Sequence, residues 1–142
     1  MYDRDFEFED HNISEDLQRL IDRYEDMILS GSLSFFEEEE FEMIIEYYED
    51  GSDFESAIKA ADIASAQYQY CETFLLKKAS ILFELKKCDD ALDYIARAEI
   101  LDAGDMEIYL LKSEILTFMG RYEEAILTLQ QALNMGDKEE ED

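Results

Sequence analysis

The 142-residue chain has no proline, one histidine, two cysteines and five glycines. Each shortage removes something. A lone histidine, His11, sits in an acidic stretch near the N-terminus and has no partner with which to build a Ser/His or Cys/His pair. A catalytic base also needs a positioned pocket, so His11 reads as an ordinary exposed side chain. Cys71 and Cys88 lack the spacing and the company of a metal site. They read as reduced, partly buried small hydrophobes of a cytoplasmic chain. The five glycines form no phosphate-binding loop. No enzyme, no metal and no cofactor are expected.

Basic residues are scarce too. Lys plus Arg is 12 against 38 Asp plus Glu, a net charge of −26. Such a polyanion is repelled by nucleic-acid phosphates and by acidic membrane faces, so neither is an expected partner. No apolar run approaches the roughly 20 residues that span a bilayer. No basic-then-apolar start resembles a signal peptide, which makes cytoplasmic the expected location. The charge is uneven: net −15 over residues 1–50, −3 over 51–100 and −8 over 101–142. One domain suits this length.

What is abundant favours helix: Glu, Leu, Ala and Lys, with no proline to break them. The glycines fall between apolar-periodic stretches, at Gly31, Gly51, Gly104, Gly120 and Gly136, each a candidate helix end or turn. Three rows of 34 residues, starting at Glu38, Glu72 and Met106, align without a gap. The twentieth position reads Ala57, Ala91, Ala125, and the twenty-seventh reads Ala64, Ala98, Ala132. Half of the chain's 12 alanines therefore occupy two repeat positions. The fourth position holds Phe41, Leu75, Tyr109; the eleventh Tyr48, Leu82, Leu116; the seventeenth Phe54, Cys88, Tyr122; the twenty-first Ile58, Leu92, Ile126. Two antiparallel helices approach closely where small side chains meet. Alanines seven residues apart lie on one face of a helix.

This pattern resembles the tetratricopeptide repeat (TPR) family, most clearly in Gly120-Arg121-Tyr122-Glu123-Glu124-Ala125-Ile126 followed by Ala132-Leu133. The resemblance covers residues 38–137. It departs at position 32, usually proline, where Gln69, Ala103 and Asp137 stand, and at position 8, often glycine, where Ile45, Ala79 and Ser113 stand. It implies an all-α, right-handed TPR solenoid of about seven antiparallel helices. They are expected near residues 13–29, 34–50, 53–67, 72–86, 88–101, 106–119 and 122–135. The repeats are residues 38–71, 72–105 and 106–137.

Outside the repeats, residues 1–12 read as an acidic N-terminal arm with Phe6 and Phe8, expected to be mobile. Residues 13–33 hold a capping helix, with Ile13, Leu17, Leu20, Ile21, Tyr24, Met27 and Ile28 at helical steps and Asn12 with Glu15 as its capping box. It is not a fourth repeat, since Arg23 stands where the alanine should be. Ser34 with Glu37 can start the next helix. Residues 138–142 read as an acidic tail or linker.

In this family the first helix of each repeat lines a concave groove, and the resemblance implies that positions 2, 5, 9, 12 and 13 face it. The partner-binding groove is then expected at Glu42, Glu46, Leu76, Phe83, Leu110, Glu114 and Phe118. Glu42 and Glu46 stand where TPR co-chaperones use Lys and Asn, so an acidic chaperone tail would be repelled. A protein segment with basic residues and apolar anchors is complementary. The expected function is a non-catalytic protein–protein interaction module, a scaffold or adaptor. The alternative is a small acidic TPR chaperone dedicated to a secreted protein. The last helix carries apolar residues on a face that no further repeat covers. Either the chain is a fragment of a longer repeat protein, the expected case, or this helix makes a homodimer with two-fold symmetry.

Overall fold

The structure, a computed structural model, describes residues 2–141 and the side chains of residues 15–136. The described residues form seven helices and no strand: α1 (Tyr2–Ser30), α2 (Glu38–Asp50), α3 (Phe54–Gln67), α4 (Thr73–Glu84), α5 (Cys88–Leu101), α6 (Met106–Phe118) and α7 (Tyr122–Glu141). Two compact units are built from them, residues 1–60 and residues 61–142.

In the first unit α1 packs on α2 through Leu20, Ile21, Tyr24 and Met27, the buried side of a helical stripe. Phe36 lies fully buried in the connection between the two helices. Its ring centroid is 6.0 Å from that of Tyr24 and 5.4 Å from that of Phe41. The Arg23 guanidinium stands 4.6 Å from the Phe36 centroid and donates to Glu40 Oε2 at 2.9 Å. Seating Phe36 explains why α2 starts at Glu38 rather than near residue 34. The chain must run extended (Glu37 φ −73°, ψ 159°) to turn that ring inward. The helix is then started by Glu40, whose Oε1 accepts the Glu37 N–H at 2.9 Å. Glu38, Glu39 and Glu40 in the first turn suit the positive end of the helix dipole.

In the second unit α4 packs on α5 and α6 on α7, while α5 and α4 each also meet α6. Its core holds Phe74, Ile81, Leu82, Ile95, Ile108, Ile115 and Leu116. The repeat alanines behave as their spacing predicts: Ala57, Ala64, Ala91, Ala98, Ala125 and Ala132 are all buried. A single methyl at these places lets paired helix backbones come together.

The turn within each helix pair repeats in detail. Ser52, Lys86 and Gly120 occupy the same repeat position and all have left-handed backbone, φ 57°, 63° and 80°. Their N–H groups donate to Glu49, Phe83 and Thr117 carbonyls at 2.9, 2.9 and 3.0 Å. The next N–H groups, of Asp53, Lys87 and Arg121, reach back to Tyr48, Leu82 and Leu116 at 2.8, 2.8 and 2.9 Å. This double return is a Schellman motif. Gly51, expected as a turn residue, has φ −84°, and the left-handed place falls one residue later on Ser52.

The ends of the chain differ from the sequence reading. Helix α1 begins at Tyr2, well before residue 13, so Asn12 and Glu15 lie inside it rather than capping it. No proline or glycine stands between Tyr2 and Ser30 to stop a helix, and acids at the leading end suit the dipole. The side chains of Phe6, Phe8 and His11 lie outside the described residues. Gly31, with φ 72°, then ends α1. At the other end α7 runs through Gly136 to Glu141, including the segment read as a tail. Gly136 is helical and does not stop α7; a Cβ there would stand 3.4 Å from Met106 Cε, an ordinary contact with the end of a flexible side chain.

Candidate functional site

The seven side chains expected in a groove fall in both units. In the first, α2 presents Glu42, half-buried, and Glu46, exposed. Glu46 stands beside a cleft of about 770 Å³ that also takes in Glu25, Asp50 and Asp53. Met43 and Tyr47, large and partly exposed, give that acidic cleft an apolar wall. Its floor is fixed by Tyr48, whose hydroxyl donates to Glu25 Oε2 at 3.3 Å. Burial, reinforced by the Glu25 carboxylate, raises the Tyr48 hydroxyl well above the usual tyrosine range, so it remains a neutral donor.

In the second unit the structure brings Phe83 of α4 against Phe118 of α6, ring centroids 5.6 Å apart and planes at 79°. This edge-to-face pair is favoured by the ring quadrupoles. Phe118 and Leu110 are exposed, Phe83 is half-buried, Glu114 is exposed, and Leu76 is buried. Leu76 therefore contributes to packing more than to a presented surface. Lys86 extends over both rings, its Nζ 4.6 Å from the Phe118 centroid and 5.6 Å from that of Phe83. The left-handed turn places it there, one residue beyond α4's C-cap.

A second lysine is structural. Lys78 Nζ donates to Asp62 Oδ1 at 2.6 Å and to the Tyr94 hydroxyl at 2.7 Å. Burial pulls its pKa down, but the Asp62 and Tyr94 hydrogen bonds outweigh this and hold it above the usual lysine value.

Sequence spacing missed Lys86, Met43, Tyr47 and Glu25. The expected helix over 72–86 includes Lys86, whereas α4 ends at Glu84 and Lys86 sits in the left-handed turn after it. Met43 and Tyr47 form an i, i+4 pair beside Glu46 and Asp50, a signal that the repeat positions alone do not use. Cys71 and Cys88 are unpaired and half-buried. Among the described residues no group of three His, Cys, Asp or Glu side chains could hold a metal ion, and no helix is long and apolar enough to cross a membrane.

Paired helices, alanines buried at a 34-residue period and three equivalent left-handed turns define the architecture. The fold is the all-α fold of TPR domains. Solved structures agree with it. The TPR2B domain of yeast Sti1, in a complex with pHsp70, matches with a TM-score of 0.65 at 21% identity, over 70% of this chain and 80% of that one. MamA matches with a TM-score of 0.67 at 16% identity, over 73% of this chain and 61% of MamA. The TPR domain of Arabidopsis OM64 matches with a TM-score of 0.63 at 19% identity, over 70% of this chain and 83% of that domain. No family model and no curated protein sequence matches the chain. At these identities the likeness concerns the fold.

Proposed function

We propose that the chain is a non-catalytic protein-interaction module that holds a segment of another protein through basic and apolar side chains. The observation that carries this reading is the acidic cleft of the first unit, with Met43 and Tyr47 as its apolar wall; the second unit by itself presents exposed Leu110 and Phe118. Carboxylates steer and orient a basic segment, and exposed rings reward apolar anchors. The fold shared with a Sti1 domain in complex with pHsp70 supports a protein partner in general. The chemistry differs from a carboxylate-holding groove, since Glu42 and Glu46 repel anions.

The test is a peptide array carrying segments that combine Lys or Arg with Leu or Phe, alongside acidic segments of equal length. Basic–apolar segments are expected to bind, more weakly as salt rises. Phe118→Ser is expected to weaken binding by about 10-fold or more, as loss of a buried aromatic anchor does. Binders that are acidic, or that ignore both Phe118→Ser and Glu46→Lys, would overturn the reading.

A further inference from the structure

Helix α7 carries a second surface, separate from the α4–α6 rings. Tyr122, Ile126, Leu129 and Leu133 recur at steps of four, three and four, which places them on one face. They are 63, 55, 41 and 68% exposed. Ala125, Thr128 and Ala132, on the adjacent face, are the residues buried against the rest of the unit. The exposed stripe is about 16 Å long at 1.5 Å per residue.

The equivalent face of α5 is covered by a helix. Thirty-four residues earlier the same register on α5 reads Cys88, Leu92, Ile95 and Glu99. There Ile95 is 1% exposed, against 41% for Leu129, because α6 packs along α5. The face is thus one that a helix fits. Charge selects the helix. A second copy would bring another net −26 against this one, which opposes self-pairing. Arg121, at the start of the stripe, is occupied by Glu124, at 2.9 and 2.6 Å. Beyond Leu133 the sequence continues the same register with Asp137 and Glu140, and Glu123 flanks the other end. An apolar stripe with acidic borders fits an amphipathic helix with basic flanks.

We propose that the Tyr122–Ile126–Leu129–Leu133 face docks a basic amphipathic helix of another protein. The test uses the full chain and a synthetic 18-residue amphipathic peptide with Leu on one face and Lys on the other. Two control peptides carry Glu in place of Lys, or the same Leu and Lys residues in an order without a helical face. Binding is read by fluorescence anisotropy, and folding by circular dichroism. The Lys peptide is expected to bind the chain and the controls to bind at least tenfold more weakly. The double variant Ile126→Asp, Leu129→Asp is expected to lose at least tenfold in affinity, even though it adds two negative charges. Attraction by charge alone would make that variant bind better, and that result would overturn the proposal. The milder Ile126→Ser, Leu133→Ser pair answers the same question should the aspartates unfold the chain. With Phe118→Ser as the background, which removes the α4–α6 anchor, the helical Lys peptide is expected still to bind at least tenfold more tightly than the scrambled control, and to lose that preference when the α7 substitutions are added, which separates the two surfaces. Concentration-dependent dimerisation in sedimentation, abolished by the same α7 variants and unaffected by the Lys peptide, would show that a second copy covers the face and would also overturn it.

Discussion

Ala91→Leu probes the closeness of the helix pairs. Ala91 is fully buried on α5, which packs on α4, and it is one of the six alanines that fill the two small-residue positions of the repeat. Leucine adds three heavy atoms where only a methyl fits. The side chain must leave its preferred rotamer or push the helices apart, at a cost of about 1–3 kcal/mol. Each kcal/mol corresponds to roughly 2–8 °C in melting temperature across domains of this size range. The matched control lies on the same helix: Ala96 is exposed, so Ala96→Leu keeps the helix propensity and touches nothing, with an effect within about 0.5 kcal/mol. Urea unfolding of both variants, read by the midpoint at constant slope, gives the comparison. Equal midpoints for Ala91→Leu and Ala96→Leu would refute the packing argument, because they would mean that α4 and α5 do not meet at this methyl.

Other expected outcomes follow from single contacts. Ser52→Gly should stabilise by up to about 1 kcal/mol, since a non-glycine residue in left-handed backbone costs about 1–2 kcal/mol; a lower melting temperature would contradict it. Tyr24→Phe should be neutral or stabilising, because the Tyr24 hydroxyl is buried without a hydrogen-bond partner, burial with help from Glu25 pushing its pKa up to about 12; thermal unfolding checks this. Lys78→Met should cost about 1–2 kcal/mol, toward the low end because Asp62 is half exposed; denaturant unfolding gives the value. Partial burial, together with Asp105 and Asp102 and against a backbone hydrogen bond that lowers it, holds the Glu72 carboxyl above its usual range. A carboxyl raised in the fold opposes folding once ionised, so Glu72→Gln should raise the melting temperature at pH 7. That gain should fade as pH falls through the raised pKa toward the ordinary glutamate value of about 4.3, as melting curves across that range would show.

Much of the candidate site was legible one residue at a time, and its assembly was not. Spacing placed Phe83, Leu110 and Phe118 on first helices, where two are exposed and one is half-buried. It placed Leu76 with them, and Leu76 turned inward. Repeat position fixes which side of a helix a residue occupies, but the tilt of neighbouring helices decides how deep it sits. Phe83 meeting Phe118, with Lys86 over both rings, joins three residues from two helices and a turn. No local preference encodes that arrangement.

The sequence by itself determined the helical class, the 34-residue period and the buried alanines. These follow from constraints that each repeat restates locally: good helix formers, no proline, and a small side chain wherever two backbones must approach. Only the tertiary structure decided where helices begin and end. Helix α2 starts at Glu38 because Phe36 must be buried against Tyr24 and Phe41. Helix α7 passes through Gly136 and stays helical to Glu141, although glycine is a common stop. Ser52 and Lys86 accept left-handed backbone because the helix pairs around them close through the same hydrogen bonds that Gly120 makes without strain. Propensity acts over a turn of chain, whereas these choices are set by atoms that folding brings from elsewhere.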